Sequence, residues 1–140
     1  MRRQTTITMV VLLVVLLSAG VFNLLQFRNA NNDLTITATP GVASKIVLSP
    51  CQSGQVVFVV SLNRPADKVV SVHYATIDGT AVGGTDFQAA NGDIEFSINT
   101  RDRLVCITPI TFGKTFTLDL SKPVGATLTT PRVLGNLPQK

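Results

Sequence analysis

Residues 74–96 read Tyr-Ala-Thr-Ile-Asp-Gly-Thr-Ala-Val-Gly-Gly-Thr-Asp-Phe-Gln-Ala-Ala-Asn-Gly-Asp-Ile-Glu-Phe. The stretch opens at the end of a β-forming run. It passes through Asp78 to Gly84, where Gly79, Gly83 and Gly84 supply turn conformations, and closes on Ile94 and Phe96 at a spacing of two. This is strand, loop, strand. Upstream, Lys68 to Thr76 puts Val70, Val72 and Tyr74 on one face of a strand. Before it, Gln55 to Leu62 carries Val-Val-Phe-Val-Val, a run apolar enough for burial on both faces, and Asn63 to Asp67 is turn chemistry. Ile46 to Leu48 begins a first strand. Downstream, Asp93 to Ile98 alternates with Ile94, Phe96 and Ile98 inward. Arg103–Thr111, Thr115–Leu120 and a short Arg132–Leu137 complete the set. No helical period of useful length occurs beyond Lys45. Six or seven short strands with turn signals between them predict an all-β antiparallel sandwich.

The same residues resemble the core motif of the Calx-beta domain family. There, a strand ending in Tyr-x-Thr runs into Asp-Gly-Thr-Ala-x-x-Gly-x-Asp-Tyr and then Gly-x-Leu-x-Phe. Here Tyr74-Ala75-Thr76, Asp78-Gly79-Thr80-Ala81, Gly84-Thr85-Asp86-Phe87 and Gly92-Asp93-Ile94-Glu95-Phe96 match in order. Phe116-Thr117-Leu118-Asp119-Leu120-Ser121-Lys122-Pro123 and Gly125-Ala126-Thr127-Leu128 extend the likeness, which runs from about Ile46 to Leu134. It implies an immunoglobulin-like sandwich of seven strands.

The resemblance also implies chemistry that these residues mostly lack. Calcium-binding members gather carboxylates at one end of the sandwich, from a Glu after the first strand, the Asp of Asp-Gly-Thr-Ala, an acidic run between the fifth and sixth strands, and acids at the last strand. Here Asp78 and Asp86 remain as weak residual metal candidates. The Glu position carries Ser49-Pro50-Cys51-Gln52, and the acidic run is replaced by Pro109-Ile110-Thr111-Phe112-Gly113-Lys114. Calcium takes six to eight oxygen ligands, so two carboxylates beside a lysine predict no cofactor; calcium is possible but not expected. Asp78, placed before a glycine, has a structural alternative: accepting bonds from the N–H groups of its own turn.

Other chemistry is thin. Cys51 and Cys106 are an even pair; in an exported domain they favour a disulfide, with two buried thiols as the alternative. A bridge closing that loop stabilises by about 3–4 kcal/mol in the loop-entropy account. His73 is the sole histidine and sits mid-strand, which argues against a zinc site or a hydrolytic triad. The glycines at 79, 83 and 84 precede no Lys-Ser/Thr and no helix, so they make no phosphate loop. Asp93 and Glu95 share the solvent side of one strand. These patterns speak against an enzyme.

The N-terminus adds anchoring. Arg2 and Arg3 precede a mostly apolar run from Thr5 to Phe27, which as a helix spans about 34 Å, enough to cross a bilayer. Residues 1–27 therefore read as a signal anchor with the N-terminus inside. Cleavage at Ser18-Ala19-Gly20 would instead release a secreted domain. Residues 28–45, rich in Asn and Thr, read as a spacer, although Leu34-Thr35-Ile36-Thr37-Ala38 alternates weakly like a short strand. The sandwich is expected over 46–137. From Arg28 onward ten Lys and Arg face eight Asp and Glu, a net +2 that makes no nucleic-acid footprint. The expectation is a non-catalytic, membrane-tethered interaction or adhesion module on the periplasmic or cell-surface side. Residues 5–27 would lie in the membrane, with other proteins or copies of itself as partners. The alternatives are a subunit of a surface filament packed through its apolar helix, and a calcium-dependent adhesin.

Overall fold

Alternating β-branched and aromatic residues dictate the architecture, because each such strand has one face to bury and the two sheets bury theirs against each other. The computed structural model describes residues 33–44 and 49–140. The segment 5–27 and the strand expected over Ile46–Leu48 lie outside the described residues. The strands are β1 Thr35–Ala38, β2 Val42–Ala43, β3 Val56–Leu62, β4 Val70–Ile77, β5 Asn91–Phe96, β6 Asp102–Ile107, β7 Thr115–Val124, β8 Thr127–Leu128 and β9 Arg132–Asn136. One sheet is built on β3, with β6 along one edge and β1 and β2 in succession along the other; β8 runs parallel to β1. The second sheet has the order β5-β4-β7-β9, antiparallel throughout.

Between the sheets lies an aromatic centre. The Phe116 ring stacks on Phe87 at 4.3 Å and meets Phe58 edge-on at 5.7 Å, arrangements that ring quadrupoles favour. Ile36, Val56, Val60 and Leu62 of the first sheet face Val70, Val72, Leu118 and Leu120 of the second in the same core. Two glycines let the sheets meet. A Cβ on Gly41 would stand 2.5 Å from the Phe58 ring, and one on Gly135 would stand 2.7 Å from both Phe58 and Phe116. Backbone bonds join the two glycine segments: Gly41 N–H to Leu134 O at 2.8 Å, and Asn136 N–H to Gly41 O at 3.0 Å.

The structure corrects three expectations. Leu34 to Ala38 belongs to the sandwich rather than to a spacer: Leu34 and Ile36 are buried, and the compact unit begins at Leu34. Ile98 does not face inward and is 59% exposed. Strand β5 stops at Phe96, where a tight turn takes over: Thr100 N–H donates to Ser97 O, and Asn99 adopts a positive φ of 67°. Strand β6 ends at Ile107 rather than Thr111, because Pro109 cannot continue a ladder as donor and residues 108–114 turn toward β7.

The sandwich has two ends. At the Leu34 end lie the turns Asn63–Val69 and Ser97–Arg101. At the opposite end lie the 78–90 loop, the 108–114 loop, the segment before β3 and the C-terminal residues.

Candidate functional site

The 78–90 loop leaves β4 and is organised from within by its two aspartates. Asp78 Oδ1 accepts the Gly83 N–H at 2.8 Å, and Asp86 Oδ2 accepts the neighbouring Val82 N–H at 2.9 Å. Backbone bonds from Thr85 and Asp86 N–H to Val82 O tighten the turn between them. Asp78 is exposed and takes the structural role open to an Asp-Gly turn.

Asp86 is different. It is the one buried charged residue among the described residues, 2% exposed. The 108–114 loop closes over it. Lys114 Nζ donates to both carboxylate oxygens, at 2.8 Å and 3.0 Å, and Thr111 Oγ1 donates to Oδ1 at 2.8 Å. The Ile110 and Thr111 N–H groups both donate to the Asp86 main-chain oxygen. A carboxylate offers about four lone-pair sites, and four contacts from three donors fill them here. Lys114, then Val82 N–H, then Thr111 hold the Asp86 carboxyl down from 3.8 to about 2, against the opposing effect of burial.

This arrangement does not fit calcium. The Asp86 oxygens are already taken by an ammonium, a hydroxyl and an amide, while calcium needs six to eight oxygens. No group of three or more His, Cys, Asp or Glu side chains among the described residues is placed to hold a metal. The structure thus keeps both residual metal candidates within one loop but spends them on its own hydrogen bonds.

Cys51 and Cys106 are joined in a disulfide with Cα atoms 5.4 Å apart. The bond fastens the segment before β3 to β6, at the same end as Asp86. His73 Nδ1 lies 2.9 Å from Asp93 Oδ1, its register partner across β4 and β5. Glu95 is on the same outer face, and its main-chain oxygen accepts Arg103 Nε at 2.8 Å. That bond spans a cleft of about 430 Å³ between the free edges of β5 and β6. No nucleophile and base come together there.

Two features escaped the sequence reading. Thr111 as a partner of Asp86 was one. The other is the apolar tip of the 108–114 loop, where Ile110 is 52% and Phe112 51% exposed, whereas Phe58, Phe87, Phe96 and Phe116 are fully buried. Phe112, Pro109, Pro138 and Ala43 line a shallow hollow of about 640 Å³ at this end. A signal was present in Phe112, which lies outside every expected strand, whereas Ile110 fell within the strand expected over Arg103–Thr111.

The described unit is an immunoglobulin-like antiparallel β-sandwich whose loop end is tied by an ion pair and a disulfide. The family model for the Calx-beta domain matches residues 44–129; the chain belongs to the Calx-beta domain family. Among curated protein sequences none matches. Solved structures share the fold. The crystal structure of an apo-form Calx CBD1 domain superposes with a TM-score of 0.62 at 19% identity, over 78% of this chain and 99% of that one. The Calx CBD2 domain gives 0.52 at 22% identity, over 66% of this chain and 57% of that one. The calcium-binding domain CBD12 of CALX1.1 gives 0.53 at 23% identity, over 74% of this chain and 43% of that one.

Proposed function

We propose that this chain is a membrane-tethered, extracytoplasmic Calx-beta interaction module without catalytic activity, and that it works without calcium. The observation that carries the reading is the placement of Ile110 and Phe112. They are half-exposed at the end of the sandwich opposite Leu34, where the chain enters the domain. An apolar loop left exposed at this end of the sandwich is open to another protein or to another copy of the chain. Exposed apolar side chains rimmed by polar ones are what such contacts use. The basic pair Arg2-Arg3 before an apolar run supports the tether. The Cys51–Cys106 disulfide supports an oxidising compartment. The filled ligand sites of Asp86 speak against the calcium-dependent adhesin.

Fractionation of the full chain tests this reading. The protein is expected in the membrane pellet after a carbonate wash, released by detergent, with residues 34–140 open to protease from the outer side of the cytoplasmic membrane. Recovery in the carbonate supernatant, or protection from protease once any outer envelope has been opened and the cytoplasmic membrane left intact, would refute it.

A further inference from the structure

We infer that the Lys114 ammonium is a built-in counter-ion that stands in for a bound cation at the loop end of the sandwich, and that a carboxylate at position 114 would turn this end metal-responsive. The inference deepens the calcium-independent part of the proposed function and rests on it; it does not depend on the tether. Asp86 is fixed in position by its own backbone, through Ile110 and Thr111, and its carboxylate is buried beneath the 108–114 loop. A buried carboxylate needs a compensating charge held in good geometry. Lys114 provides one from the last residue before β7, with its nitrogen astride both carboxylate oxygens. Its main chain is anchored in turn, because its carbonyl accepts the Leu137 N–H at 2.9 Å. The side chain of Lys114 is 46% exposed and that of Asp86 only 3%. The charge therefore reaches inward from a solvated position, as an ion seated from solvent would.

Two further facts give the position its metal-like character. Asp78 and Asp86 bind consecutive amides, Gly83 and Val82, so two carboxylates already converge on one short turn. The cation against Asp86 is part of the chain and cannot diffuse away. The two loops are consequently fastened at every cation concentration, and the module is constitutively ordered where a metal-bound counterpart would be switched. Replacing Lys114 by Glu removes the internal cation and sets a second carboxylate against Asp86, with Asp78 bonded to the same turn.

The test uses the full chain in detergent, with thermal melts in chelator, in millimolar calcium and in millimolar magnesium. The wild type is expected to melt at the same temperature in all three. Lys114→Met should lose about 8 °C or more, since a buried carboxylate is left alone, and calcium should not restore it. Asp86→Asn combined with Lys114→Met should recover most of that loss, which separates charge compensation from a packing role of the lysine stem. Lys114→Glu should be destabilised in chelator and regain several degrees in calcium. If it does not fold in chelator, its refolding from urea should require calcium. The inference fails if calcium raises the wild-type melting temperature, if Lys114→Met melts with the wild type, or if Lys114→Glu ignores calcium in both melting and refolding. Fractionation of the same variants reads the tether separately, so the two readings fail independently.

Discussion

Both ends of this sandwich are closed by main-chain bonds, but the Lys114 end adds a disulfide and an ion pair with a buried carboxylate. At the Leu34 end, neighbouring turns close on each other through main-chain bonds: Ala66 N–H to Thr100 O, Asn99 N–H to Ala66 O, and Thr100 N–H to Ser97 O. At the Lys114 end, main-chain bonds such as those from Ile110 and Thr111 N–H to Asp86 O are joined by the disulfide between Cys51 and Cys106 and by the pair of Lys114 with Asp86. Backbone closure is distributed, so each bond is worth little alone. Side-chain closure is concentrated, so a single substitution can open an end. The loop end thus adds to its main-chain bonds two concentrated ties carried by four residues.

The largest break in this contrast should come from the disulfide. Replacing Cys51 and Cys106 by Ala is expected to cost about 3–4 kcal/mol in chemical denaturation, with the 49–55 segment becoming the first to exchange its amides. Equal protection of both ends in that variant would dissolve the distinction.

Acid should act next. The Asp86 carboxyl titrates at about 2 in the fold against an ordinary 3.8. A depressed carboxyl stabilises above its unfolded value, and that contribution is lost as pH falls from about 3.8 toward about 2. The drop in melting temperature between pH 5 and pH 2 should be visibly smaller in Asp86→Asn than in the wild type. An identical acid profile in the two proteins would remove Asp86 from the account.

The Leu34 end should yield less. Asn63 Oδ1 accepts the Thr35 N–H at 3.0 Å in an exposed setting, and Asn63→Ala is expected to cost about 1 kcal/mol. A loss as large as that of the disulfide variant would show that this end, too, hangs on one residue. Smaller still is Asp78→Ala, which removes one exposed bond to the Gly83 amide and should cost about 0.5–1 kcal/mol, with no dependence on calcium. Phe112→Ser should leave the melting temperature unchanged within about 2 °C while abolishing partner or self-association measured by light scattering.

What the sequence disclosed follows the same division. Local rules worked where the cause is local. The alternation over Val56–Leu62 and Val70–Ile77 marks strands because the period is written in adjacent residues. An Asp before Gly marks a turn because its acceptor reaches amides a few residues on. The Calx-beta pattern supplied the sandwich by the same route. Local rules failed where the deciding partner is remote. Asp86 is a loop aspartate by its neighbours; its burial is decided by Thr111 and Lys114, 25 and 28 residues away. Strand β1 was only weakly written, since four residues cannot show a period; its place is fixed by β3 and by β8, more than ninety residues downstream. Ile98 kept the alternation of β5 but sits beyond the point where the turn at Ser97 ends the strand, which no periodicity reveals.

The passage from β1 to Gly41 also makes the domain a mechanical fitting. On leaving Leu34 the chain bonds to β3 and β8 in the first sheet, then to Leu134 and Asn136 of the second. Hydrogen bonds between strands lie across the strand direction. A pull on Leu34 along β1 therefore loads them in shear, several at once and in both sheets, rather than peeling them one by one. Gly41 and Gly135 make that double grip possible, because only residues without a Cβ let the leading strand cross so close to the Phe58 ring. Force applied at Leu34 would therefore load both sheets together.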